Sequence, residues 1–119
     1  MLGPTATLLE RYMDLLVARQ RVAASNIANV DTPGYRSREI DFRFEMESLL
    51  YQPSRERPFL PITVRESSPE GAKNDGNNVS LDREMKNLAD NSFRFALASM
   101  LLQKRLRGLR QAILEGRGA

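Results

Sequence analysis

The sequence predicts a mainly α fold, in which a long helix at each end of the chain packs against the other as a coiled-coil-like pair. Three observations carry that expectation. Apolar residues recur at spacings of four and three near both ends, a compact stop signal closes the first of these stretches, and four of the six prolines crowd into the segment between them. The organisation that follows is an N-terminal unit over 1–51, a flexible Pro/Gly-containing linker over 52–78 and a C-terminal helix over 79–119.

In the first unit Leu9, Met13, Leu16, Ala23 and Ile27 form a stripe from about Thr5 to Asn29, broken by Gln20. Pro4 is tolerated at the start of such a helix, and Thr5 or Thr7 is placed to cap it. The stop signal is "SNIANVDTPGY", residues 25–35. Asn26 and Asn29 lie near one helical face and can bond backbone groups left unpaired at a helix end. Asp31 and Thr32 favour a turn, Pro33 fixes its own φ, and Gly34 can take the positive φ of a type II turn. Tyr35 then brings back a ring and a hydroxyl. Beyond it Asp41 can cap a short helix whose Phe42, Met46, Leu49 and Leu50 share a face.

Between that helix and Ser80, Pro53, Pro58, Pro61 and Pro69 precede "EGAKNDGNN", and only "ITV" at Ile62 to Val64 reads as extended. Ser80 is the expected N-cap of the last helix, with Asp82 and Glu84 in the first turn where the dipole favours acids. Its stripe is Leu81, Met85, Leu88, Phe95, Leu102, Leu106, Leu109 and Ile113, interrupted by Ser92 and Ser99. Phe93, Leu97 and Met100 make a second apolar line. At 1.5 Å per residue the two helices would be roughly 37 and 54 Å long, rods rather than helices of a compact fold. The longer one therefore needs apolar cover from other chains, unless the two close into a self-contained hairpin.

Composition excludes much chemistry. The 119 residues include no cysteine and no histidine, which removes thiol nucleophiles, disulfides, thiolate and imidazole metal sites and the commonest general base. Glu39, Asp41, Glu45 and Glu47 read as solvated charges opposite Arg36, Arg38 and Arg43. No catalytic, cofactor-binding or metal-binding residue is expected. The longest apolar-leaning run, Phe95 to Gln103, is far short of the roughly 20 residues of a membrane span, and no cleavable secretory signal is visible.

The wording of two stretches is more specific than their physics requires. "RQRVAASNIANVDTPGYRSREIDF", 19–42, and "DGNNVSLDREMKNLADNSFRFALASMLLQKRLRGLRQAI", 75–113, resemble the two end regions of the bacterial flagellar rod and hook axial proteins. The resemblance implies terminal helices that pack into a layer lining a hollow tube, with no β domain inserted between them. It implies a structural subunit of the proximal rod that transmits torque and forms part of the export conduit. It further implies a location in the basal body, reached through the flagellar type III channel, and self-association. The implied neighbours are other rod subunits, rod-adaptor and membrane-ring proteins, and the export gate. Two other classes fit parts of the sequence. A helical oligomerising adaptor would use the same stripes, and Lys104, Arg105, Arg107, Arg110 and Arg117 against Glu115 alone could serve a nucleic-acid-binding helix, although no aromatics are interleaved for base stacking.

Overall fold

The chain runs α1 (Pro4–Ala28), β1 (Arg38–Ile40), α2 (Phe42–Tyr51), β2 (Val64–Glu66) and α3 (Leu81–Gly118) in a computed structural model that describes residues 3–51, 62–68 and 72–118. The two long helices lie antiparallel. Asn91 of α3 meets Leu16 of α1, Asp90 meets Arg19, Arg94 meets Tyr12, and the start of α1 at Gly3 lies beside Arg105.

Local chemistry sets the helix boundaries. Pro4 opens α1 directly after Gly3, whose φ of 86° no other residue type adopts readily. No side chain caps this end. Thr7, one of the two expected caps, instead donates from its hydroxyl to the Gly3 carbonyl at 3.3 Å, because that acceptor lies one turn back while the free N–H groups point away. Asp41 and Ser80 do cap their helices, accepting from the backbone N–H of Phe44 at 3.1 Å and of Arg83 at 3.3 Å.

Between α1 and α3 the described residues hold one small antiparallel ribbon. β1 pairs with β2 in the register Arg38 to Glu66, Glu39 to Arg65 and Ile40 to Val64. The extended piece near "ITV" thus begins at Val64 and has a partner, Arg38–Ile40, that sequence periodicity did not mark as a strand. Residues 52–61 and 69–71 of the expected linker lie outside the described residues. Of those on either side, 62–68 pairs with β1 and Ser37, and 72–78 folds back onto the end of α1 and the turn that follows it.

The interior is narrow. Its buried apolar side chains among the described residues are Ala6, Leu15, Leu16, Ala23, Val79 and Ala98, three of them alanines. The molecule measures 71 × 28 × 16 Å, a cross-section of about two helices. Its radius of gyration is 18.7 Å, against roughly 13.5 Å for a compact domain of this length. No helix of the described residues is long and apolar enough to cross a membrane.

Candidate functional site

Two features stand out from the residues upward: a polar junction where the turn after α1 meets the start of α3, and the uncovered part of α3.

At the junction, buried polar side chains replace a hydrophobic core. Asn26 is wholly buried and donates to the carbonyl of Arg38 at 2.8 Å while its Oδ1 accepts from the Arg38 N–H at 3.0 Å. One side chain thereby imitates a neighbouring strand and fixes β1 against α1. The Tyr35 hydroxyl donates to the same Oδ1 at 3.1 Å, so the ring does fold back. Asn29 behaves as a helix-end residue, donating to the Ser25 carbonyl at 2.8 Å and accepting from the Thr32 hydroxyl at 3.1 Å. Thr32, Pro33, Gly34 and Tyr35 close a turn through the Tyr35 N–H and the Thr32 carbonyl at 3.2 Å, with Gly34 at φ 75°. That is the type II pattern, proline at its second position and glycine at its third. Asp31 and Pro33 are exposed on its outer side.

Two residues that sequence reasoning left in the linker complete the junction. The buried Asn77 amide donates at 2.8 Å to the carbonyls of both Asn29 and Thr32, giving each a second donor beside the N–H groups of Thr32 and Tyr35 that they already accept from. Asn78 accepts from the Ser37 N–H at 2.6 Å and donates to the Ser68 carbonyl at 2.9 Å. The only sequence signal for them was the resemblance, which began at Asp75, inside the expected linker. Gly76, at φ 84°, passes so close to Gly34 that a Cβ there would sit 3.5 Å from the Gly34 Cα.

Glu84 is the charged member of this interior, 3% exposed beside Arg83 with its Nε at 3.7 Å. Burial pushes its carboxyl above the ordinary range, opposed by hydrogen bonding to Asn26, the Arg83 charge and hydrogen bonding to Asn87. An open cavity of about 230 Å³ adjoins it, lined in part by Arg19, Arg38 and Phe42. Next along the pair, the guanidinium groups of Arg19 and Arg94 lie 4.6 and 5.1 Å from the Phe42 ring centroid, holding the start of α2 on both long helices. Asp90 joins the two arginines at 2.9 Å each, and the Arg19 hydrogen bond holds its carboxyl below the usual range.

The helix seam differs from the stripe expected on α3. Leu16 and Ala23 of α1 are buried and Leu9, Met13 and Ile27 are half-buried. On α3 the buried positions are Glu84, Asn91 and Ala98, seven apart, with Leu88, Phe95 and Leu102 half-buried between or beside them. The seam is therefore rotated by one residue from the expected Met85, Ser92 and Ser99 positions. A polar contact fixes the rotation, because the buried Asn91 donates to the Leu16 carbonyl at 2.8 Å across the interface. Leu81, Met85, Leu106, Leu109 and Ile113 remain exposed in the single chain, as do Phe93, Leu97 and Met100. From 103 to 116 every residue of α3 is exposed.

A polar-latched turn beside an elongated pair of long helices, one of which keeps an apolar face exposed in the single chain, defines the class: a rod-shaped, mainly helical protein. Comparison with known proteins gives that class a family. Residues 13–36, from mid-α1 through the turn, match the family described as flagella basal body rod protein. The chain is 30% identical to the flagellar basal body rod protein FlgB of Salmonella typhimurium, covering 90% of this chain and 91% of that one. It is 29% identical to FlgB of Escherichia coli over the same shares, and 34% identical to FlgB of Borrelia hermsii over 76% of this chain and 81% of that one. The chain belongs to the FlgB family of flagellar basal body rod proteins. It is a structural protein of the flagellar rod, located in the basal body, and not an enzyme.

Proposed function

We propose that the chain is a subunit of the proximal rod, where copies of it and other rod subunits pack through their terminal helices into a hollow shaft that transmits torque and conducts exported subunits. The observation that carries this reading is the mismatch of the two helices. α3 has 38 residues and α1 has 25, so after Arg105 α3 continues for about 20 Å with no α1 beside it, and its apolar stripe from Leu106 to Ile113 occupies about 10 Å of that length. An apolar helix face that the chain itself cannot cover calls for neighbours. Leu81 and Met85 at one end, and Leu106, Leu109 and Ile113 at the other, are the positions those neighbours would bury. Leu9, Met13, Leu16, Ala23 and Ile27, with Leu88, Phe95 and Leu102, hold the pair together within the subunit.

The junction from Asn26 to Tyr35 sets the direction in which the chain leaves the helical layer. A hydrogen-bonded polar latch suits that purpose, because its donors and acceptors are satisfied in one geometry only. The neighbours in this reading are other rod subunits, rod-adaptor and membrane-ring proteins and the export gate, and the route of delivery is the flagellar type III channel.

The test is to tag the chain in its source bacterium, purify detergent-extracted basal bodies, and find it by mass spectrometry and electron microscopy. Presence at the inner-membrane end of the rod is the expected result. Intact basal bodies without the chain would overturn the reading in favour of a helical adaptor, and retained DNA binding at physiological salt would favour the nucleic-acid alternative.

A further inference from the structure

We propose that the free end of α3 of one copy seats in the groove between α1 and α3 of a second copy, head to tail, an inference that rests on the self-assembly reading above and assigns it a specific contact. The groove is a concavity of about 390 Å³ whose lining includes Leu9, Tyr12, Phe93, Leu97, Ala98 and Leu101. Phe93, Leu97 and Leu101 are 66%, 46% and 53% exposed, so the groove is apolar and open in the single chain. Its charged lining residues, Asp90 and Arg94, pair with each other at 2.9 Å, and the same carboxylate is shared with Arg19.

The occupant follows from shape, continuity and charge. Leu106, Leu109 and Ile113 prolong the line of Leu88, Phe95 and Leu102, which within the subunit already packs toward α1. The free end is therefore shaped to lie along a helix like α1. It spans about 10 Å from Leu106 to Ile113, and the row from Phe93 to Leu101 spans about 12 Å.

Charge then selects among the ways of covering that end. Between 103 and 116 it carries Lys104, Arg105, Arg107 and Arg110 against Glu115. Pairing two free ends side by side would bring together two such clusters of like charge, which opposes a symmetric dimer. Placing one free end in the apolar groove of the next copy keeps the two clusters apart. It also leaves a groove and a free end unfilled at opposite ends of every pair, so the contact propagates instead of closing. The size of the contact agrees with an array rather than a dimer. Each partner contributes three partly exposed apolar side chains, far fewer than the roughly 20–30 residues a side of a standard interface, so an isolated pair should be weak.

The absence of cysteine makes the contact directly testable, since each introduced thiol is the only one in its chain. Full-length Leu97→Cys and Leu109→Cys are mixed at high concentration, oxidised, and analysed by mass spectrometry, with helical content checked by circular dichroism. The expected product is a 97–109 disulfide between copies, several-fold in excess of 109–109. A dominant 109–109 product, or no cross-link at a concentration where the chain self-associates, would overturn the seating. A second arm places Leu109→Asp in cells and isolates basal bodies. Loss of this variant from rods that accept the wild-type chain supports the contact. Normal incorporation of Leu109→Asp refutes the contact while leaving the rod reading intact, whereas absence of the wild-type chain from basal bodies refutes the rod reading itself.

Discussion

Replacing Asn26 by alanine tests the polar latch most directly. The substitution removes the donor to the Arg38 carbonyl and the acceptor shared by the Arg38 N–H and the Tyr35 hydroxyl, at 2.8, 3.0 and 3.1 Å. Each net hydrogen bond contributes about 0.5–1.5 kcal/mol, so their loss costs about 2–4 kcal/mol, toward the upper end where the partners stay buried. The buried Glu84 carboxylate also loses a partner, which adds in the same direction. The site lies at an end of the helix pair, so helical content at low temperature should be nearly unchanged. At roughly 4 °C per kcal/mol for a chain of this size, Tm should fall on the order of 10 °C. The assay is thermal unfolding at pH 7 followed by circular dichroism, with hydrogen exchange of the Arg38 amide as the local readout. A Tm change below about 2 °C together with unaltered protection of that amide would refute the reasoning, since water would then be replacing Asn26 at no cost.

Gly34→Val forces a β-branched residue to a φ of 75° with open space around the new Cβ, so the penalty is backbone strain of about 1–2 kcal/mol and not a clash. Rod incorporation should weaken, and wild-type incorporation would mean the turn can adopt another form. Leu102→Asp puts a carboxylate at the half-buried end of the seam, and motility assays should show assembly abolished; normal swimming would place Leu102 outside any buried contact. Glu84→Gln should raise stability at neutral pH. The folded carboxyl titrates above its ordinary value of 4.5, so the folded state holds its proton where the unfolded chain has lost it. That contribution to stability is full below the unfolded value and is lost as pH rises through the folded one. Urea titrations between pH 4 and 8 should show this dependence flattened in the variant. For Asp90 the sign is opposite. Arg19 lowers its carboxyl, so the stability it contributes is present above 3.8 and lost as pH falls, and Asp90→Asn should soften acid unfolding.

How far the sequence could be read varied with the range of the interaction. The turn from Asn29 to Gly34 was legible because proline and glycine act within four residues, and the caps at Asp41 and Ser80 were legible for the same reason. The α1 stripe was legible because apolar burial leaves a period. The seam of α3 was not, since its closest positions are Glu84, Asn91 and Ala98, two polar residues and the smallest apolar one. A hydrophobic period points past such residues to Met85, although the fold uses Asn91 to bond an opposing backbone carbonyl. Asn77 and Asn78 were obscured by the same limit. Their composition reads as a loop, and only contact with backbone groups more than forty residues away, the Asn29 and Thr32 carbonyls for Asn77 and the Ser37 N–H for Asn78, gives them a role.

By itself the sequence determined that this protein is two long helices with a stop signal between them, that it has no residues for thiol or imidazole chemistry, and that its ends resemble flagellar axial proteins. Those properties are local, periodic or compositional, and they survive without knowledge of what touches what. The tertiary structure alone decided the rotation and the register of the helix pair, and with them which apolar residues are covered and which project beyond α1. It also decided that a polar network, rather than an apolar core, joins the turn to α3. The physical reason is that hydrogen bonds between distant groups depend on angstrom-scale geometry, which leaves no period in the chain, whereas burying apolar surface depends on area, which does.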